Sequence, residues 1–126
     1  MKYIIDSYAW IEYLDGSNKG DKVREVITEN NEIFTVSLTV AEVTSRAKRK
    51  DKNVDIAYNT IIINSNIINI NSEMAKEAGI LHAEIRKEIK DFGLADVFIL
   101  LTARKLEAKI ITGDPHFKNF KEAILI

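Results

Sequence analysis

The chain alternates short, apolar, β-branched runs with longer stretches of helical periodicity, and that alternation limits the available folds more than any other feature. Lys2 to Ile5, Ile33 to Val36, Ile67 to Ile70 and Lys109 to Thr112 are too short and too uniformly apolar for amphipathic helices, and read as buried strands. Between them, Ser7 to Leu14, Asp21 to Glu29, Thr39 to Lys50, Val54 to Ile63, Ser72 to Ile89 and Leu94 to Leu106 carry helical spacing. In the fourth of these helices Ile56, Ala57, Thr60 and Ile63 or Ile62 are expected to face inward. In the fifth, Ala75, Ala78, Leu81, Ile85 and Ile89 are expected to do so. The sixth is apolar almost all round and therefore reads as buried. A short helix from Pro115 and an edge strand from Ala123 to Leu125 complete the pattern. Strands separated by helices pair in parallel through right-handed crossovers. The expected fold is an α/β three-layer sandwich, with a central parallel sheet of four to five strands flanked by helices.

No linker, repeat or low-complexity tract divides the 126 residues, so residues 1–126 are expected to form a single domain. With 46% apolar residues the composition is globular. No apolar run reaches the roughly 20 residues of a membrane span. The chain also opens on a strand-like run with no signal-peptide pattern. The absence of cysteine excludes disulfides and thiolate metal sites, and the expected location is a reducing cytoplasm. Two histidines, His82 and His116, leave almost no room for a zinc site of nitrogen and sulfur ligands. A metal ion would be held by oxygen, which points to Mg²⁺ or Mn²⁺. The net charge of −1 argues mildly against a nucleic-acid binder. The objection is weak, because carboxylates spent on a metal no longer repel phosphate and basic clusters act locally.

Four acids, Asp6, Glu42, Asp96 and Asp114, stand where apolar runs give way to helical patterns. In an open parallel sheet three of them gather at the carboxyl edge, where such folds place their ligands, and Asp96 must reach that edge from the start of its helix. Each has a plainer explanation. Asp6 can cap the helix that begins at Ser7, and Asp114 before Pro115 looks like a helix start. Thr39 and Glu42 have the spacing of a capping box, and Asp96 lies in a first turn, where negative charge suits the helix dipole. The plain readings explain the positions better than the residue type, since Ser, Thr or Asn caps as well as Asp. Asp96 is embedded in a sequence that otherwise reads as buried, and a buried carboxylate without a partner is costly. No lysine or arginine is near Asp6 or Asp96 in sequence; a shared divalent cation would satisfy all four acids.

The same residues carry a family resemblance. Asp6-Ser7, Ser37-Leu38-Thr39-Val40-Ala41-Glu42, Leu94-Ala95-Asp96-Val97-Phe98-Ile99 with Thr102-Ala103, and Ile111-Thr112-Gly113-Asp114-Pro115-His116-Phe117 resemble the motifs of the PIN-domain family, in order from Lys2 to about Phe120. The nearest resemblance is to the small VapC-type toxins of toxin–antitoxin pairs. It implies a metal-dependent endoribonuclease, Mg²⁺ or Mn²⁺ as cofactor, an RNA substrate, a homodimer and a small antitoxin protein as partner. It places the metal-site and catalytic acids at Asp6, Glu42, Asp96 and Asp114, with Ser7 or Thr112 as an accessory hydroxyl. Asp6 and Asp96 are expected as the main ligands, Glu42 as the group orienting or activating water, and Asp114 as a direct or water-mediated ligand. Tyr8 departs from the pattern, being bulkier than expected there. The alternatives are a housekeeping RNA-processing or structure-specific nuclease of the same superfamily, or a non-catalytic Mg²⁺-binding regulatory module. The last also needs a lysine after a late strand, where this chain has Thr112-Gly113-Asp114.

The densest basic stretch holds Arg46, Lys48, Arg49, Lys50 and Lys52. A solvated helix end is the preferred explanation, since cations suit a helix C-terminus. An RNA-phosphate track or an antitoxin contact is the other. His116, two residues beyond Asp114, could touch a phosphate or donate a proton, but a surface histidine in a short helix is the preferred reading; His82 reads as structural. Tyr8, Trp10, Ile11 and Leu14 read as mostly core.

Overall fold

The computed structural model describes all 126 residues. Five strands, β1 (Lys2–Ile5), β2 (Glu32–Val36), β3 (Asn66–Ile68), β4 (Lys109–Thr112) and β5 (Ala123–Leu125), form one sheet in the order β3-β2-β1-β4-β5. Every neighbouring pair is parallel. The helices are α1 (Ser7–Leu14), α2 (Gly20–Thr28), α3 (Ser37–Arg49), α4 (Val54–Asn64), α5 (Ser72–Ile85) and α6 (Leu94–Leu106), with a 3₁₀ turn at Pro115–Phe117.

Strand pleating divides the apolar runs between two cores, because successive side chains point to opposite faces. Ile4 and Ile110 enter a core with Met74, Ala78, Phe92, Val97 and Phe117, beneath α5 and α6. Ile5 and Ile111 enter the other with Ala9, Trp10, Val23, Val43 and Ile61, beneath the helices that precede β3. A sheet covered on both faces explains why its central strands are continuously apolar rather than alternating. Trp10 brings one polar atom into its core, and its Nε1 donates to Thr35 Oγ1 at 3.1 Å.

Several local expectations need correction. Helix α3 starts at Ser37, directly after β2, with Val36 as its N-cap and no side-chain cap. The capping box of Thr39 and Glu42 is therefore not made. Thr39 is buried instead, and Glu42 lies one turn into the helix with its side chain free for other work. On α4 only Ala57 and Ile61 are buried, while Ile56 and Ile63 are 60% and 80% exposed. The β-branched run obscured which stripe faces the sheet. On α5 the inward stripe is Met74, Ala78, Leu81 and Ile85, and Ala75 is exposed. This helix ends at Ile85 rather than Ile89, because the chain tightens into i→i+3 bonds, Glu88 N to Ile85 O at 3.0 Å, and turns toward Phe92.

The chain runs β1, β2, β3 to one side of the sheet and then returns to lay β4 and β5 on the other. The order reverses between β1 and β4, where an open parallel sheet splays its connections apart and leaves a crevice at the carboxyl edge.

Candidate metal and catalytic site

The crevice collects all four acids. Asp6 leaves β1 as the N-cap of α1, and its Oδ1 accepts the Ala9 N–H at 2.9 Å. Asp114 leaves β4 and accepts the His116 N–H at 2.9 Å, starting the 3₁₀ turn at Pro115. The capping reading of both acids is thus correct, and it leaves each carboxylate a second oxygen. Asp96 lies in the first turn of α6, whose N-cap is Gly93 and which therefore begins without a side-chain cap.

Two hydroxyls act on the acids. Thr112, fully buried, accepts the Asp114 N–H at 3.0 Å through Oγ1, and its hydroxyl favours the ionised form of Asp6. The Ser7 hydroxyl does the same for Glu42. Tyr8 explains itself through Gly113, where an added Cβ would collide with the Tyr8 ring. The ring thus packs against the backbone next to Asp114, and the glycine makes room for the unexpected bulk.

Burial and mutual repulsion set the electrostatics of the crevice. Asp6 is 5% exposed, and burial pushes its carboxyl up to about 7, helped by Asp96 and Asp114 and resisted by the bonds from Thr112 and Ala9. Loss of hydration, then the charges of Asp114 and Glu42, push Asp96 up to about 6. Glu42, more open to water, is also raised by partial dehydration, with the Ser7 bond opposing. None of the ion pairs made by lysine or arginine involves any of the four. Nature neutralises such groups by protonation or by a cation.

The closest convergence is narrower than the quartet and includes a histidine whose preferred sequence reading was a surface position. Asp96, Asp114 and His116 each offer a ligand atom, and these atoms lie within 4.8 Å of one another. Asp6 and Glu42 stand outside that group but interact with it, Asp6 with Asp96 and Asp114, and Glu42 with Asp96. His116 is no idle surface histidine. Its Nδ1 is 2.9 Å from Asp114 Oδ1 and its Nε2 is 2.9 Å from Asp91 Oδ2. Its spacing of two from Asp114 was the only available signal, since Asp91 approaches from a distant turn.

The basic stretch lies elsewhere. Arg46, Lys48 and Arg49 occupy the last turn of α3, where they complement its dipole, and Lys50 caps it. Arg46 pairs with Asp15 at 3.1 Å, joined by Lys52 at 3.4 Å. Lys48, Arg49 and Lys50 are exposed and make no ion pair.

The family model for the PIN domain matches residues 3–123. No curated protein matches the chain in sequence. Among solved structures, the chain resembles VapBC2 from Rickettsia felis bound to a promoter DNA fragment, at 18% identity and a TM-score of 0.76, covering 100% of this chain and 98% of that one. A toxin–antitoxin complex from Klebsiella pneumoniae gives 24% identity and 0.71, over 97% and 95% of the two chains. VapC20 of Mycobacterium tuberculosis, a Sarcin-Ricin loop cleaving toxin, gives 12% and 0.70, over 95% and 97%. No helix is long and apolar enough to cross a membrane. With the family model matched over almost its whole length and the acids assembled at the switch point of its sheet, the chain belongs to the PIN-domain family.

Proposed function

We propose that the chain is a divalent-cation-dependent endoribonuclease, and that it serves as the toxin of a toxin–antitoxin pair. The observation that carries the chemistry is the set of four carboxylates facing one crevice with no lysine or arginine to neutralise them. The donor set fits Mg²⁺ or Mn²⁺, which take carboxylate oxygens and retain waters. When bound, such an ion supplies an activated water and screens the charge of a phosphodiester.

The side chains have separable tasks. Asp6 is buried and accepts the Ala9 amide at 2.9 Å, which suits it to be a fixed ligand. Asp96 projects from the first turn of a buried helix and completes the facing wall. Asp114 adds a third carboxylate from the β4 side. Glu42, exposed and oriented by Ser7, can reach a water in the cleft and accept or direct its proton. Thr112 fixes the Asp114 backbone through its Oγ1 and favours the ionised form of Asp6.

RNA as substrate and a small antitoxin as partner are supported by what the similar folds are: a toxin that cleaves the Sarcin-Ricin loop, and toxins solved with their antitoxins. A homodimer is part of the same reading. Lys48, Arg49 and Lys50 pair with no acid and are free to meet RNA phosphates. The deciding experiment incubates the purified chain with structured RNA and Mg²⁺ or Mn²⁺, with chelator as control. Asp6→Asn and Asp96→Asn should each abolish cleavage while melting as cooperatively as the parent. Undiminished cleavage by either variant, or cleavage that persists in chelator, would refute the assignment.

A further inference from the structure

Sequence alone suggests an all-oxygen site. The structure adds an imidazole, held from behind. His116 sits on an anchored turn: Asp114 Oδ1 accepts its backbone N–H, and the next residue, Phe117, is fully buried with its ring 5.5 Å from that of Phe92 and 6.2 Å from that of Phe120. The ring then has one nitrogen toward Asp114 and the other on Asp91. Asp91 pairs with no other side chain, and its own side chain is 78% exposed. A carboxylate on the remote nitrogen is the usual support of a metal-bound histidine, because it fixes the ring and the tautomer.

The spacing agrees. Adjacent ligands of a six-coordinate ion at about 2.1 Å stand about 3 Å apart. His116 Nδ1 and Asp114 Oδ1 are 2.9 Å apart, and Asp96 is within 4.8 Å of both residues' ligand atoms. We infer that His116 is a metal ligand, oriented by Asp91, which gives this site one nitrogen donor among its oxygens and a preference for Mn²⁺ over Mg²⁺. The reasoning rests on the metal-dependent reading above. Mg²⁺ is a hard ion that favours oxygen and parts reluctantly with water, whereas first-row transition ions accept imidazole readily.

The test is spectroscopic and needs no activity. The Mn²⁺-loaded protein should show electron spin-echo modulation from a directly bound imidazole ¹⁴N. His82→Gln should retain the signal and His116→Gln should lose it. Titration should show Mn²⁺ affinity falling about tenfold or more in His116→Gln, with Mg²⁺ affinity changed far less. Asp91→Asn should keep the nitrogen signal but weaken Mn²⁺ binding; unchanged binding would remove Asp91 from the account. Bound Mn²⁺ without ¹⁴N modulation in the parent protein overturns this inference and leaves the nuclease reading standing. Failure to bind Mn²⁺ at all overturns both.

Discussion

Helix α1 has an aspartate at each end. At its N-terminus Asp6 is buried among other acids, whereas at its C-terminus Asp15 receives Arg46 at 3.1 Å and Lys52 at 3.4 Å. The helix dipole alone would rank them the other way, favouring the anion at the N-terminus and opposing it at the C-terminus by roughly 0.3–1 kcal/mol. The local surroundings reverse that order. Burial pushes Asp6 up to about 7 from 3.8. Partial burial would lift Asp15 as well, but Arg46 and Lys52 outweigh it and hold its carboxyl below the ordinary range. The chain therefore supplies basic partners to a carboxylate where the fold benefits and withholds them at the crevice. That difference separates an acid with its own ion pairs from acids that pair with no lysine or arginine.

The sharpest way to break the comparison is to measure stability against pH in chelator. Asp6 at about 7 and Asp96 at about 6 both lie above their usual 3.8, so the folded, metal-free protein holds more protons than the unfolded chain between these values. Stability should then fall as pH rises from about 4 to about 7, and remain low above that. For Asp6 the cost above that window is on the order of 4 kcal/mol. Asp6→Asn should recover much of it at pH near 8 while flattening the slope, as seen in denaturant unfolding. Added Mn²⁺ should stabilise the parent protein and do little for the variant. A parent protein whose metal-free stability rises from acid to neutral pH would mean that the crevice acids do not carry this strain.

Removing Asp15 should have a smaller effect of opposite sign. Asp15→Asn should destabilise the protein at neutral pH by about 1 kcal/mol, since the pair is partly solvated and screened. Because its folded value is lowered, that contribution is present above the unfolded value and is lost as pH falls through the lowered one. The variant and the parent should therefore converge in acid, and RNA cleavage should be unaffected. Lost cleavage would tie the α1 C-terminus to the site after all.

The fold was largely legible because its strands are buried on both faces, so each appears as an unbroken apolar run, and because α6 is apolar nearly all round. Helix faces were less legible where periodicity was blurred. Asn64 ends α4 after three successive isoleucines, and only Ile61 of that run is buried. The candidate site could be read as four positions but not as a geometry. Asp6 and Asp114 looked like caps and are caps, so position alone could not separate the roles. Glu42 looked like a cap and is not one, because α3 begins two residues earlier than the Thr39 signal suggested. His116 was legible only through its nearness to Asp114, since its contact with Asp91 spans 25 residues and the turn that holds Asp91 has no pattern of its own.

Glu42 offers the finest division within the crevice. Its carboxyl is raised like those of Asp6 and Asp96, yet it is exposed, and the Ser7 hydroxyl opposes the rise. An exposed acid contributes little strain, so Glu42→Gln should alter metal-free stability by no more than about 0.5 kcal/mol. It should also relieve Asp96 of one repelling charge, easing that carboxyl back toward its ordinary range, which NMR titration of Asp96 would detect. If Glu42 directs the attacking water, cleavage should fall steeply while Mn²⁺ affinity drops far less than in Asp6→Asn. Equal losses of affinity in the two variants would make Glu42 a ligand like the others. Unequal losses would divide the site into acids that hold the ion and an acid that works beside it.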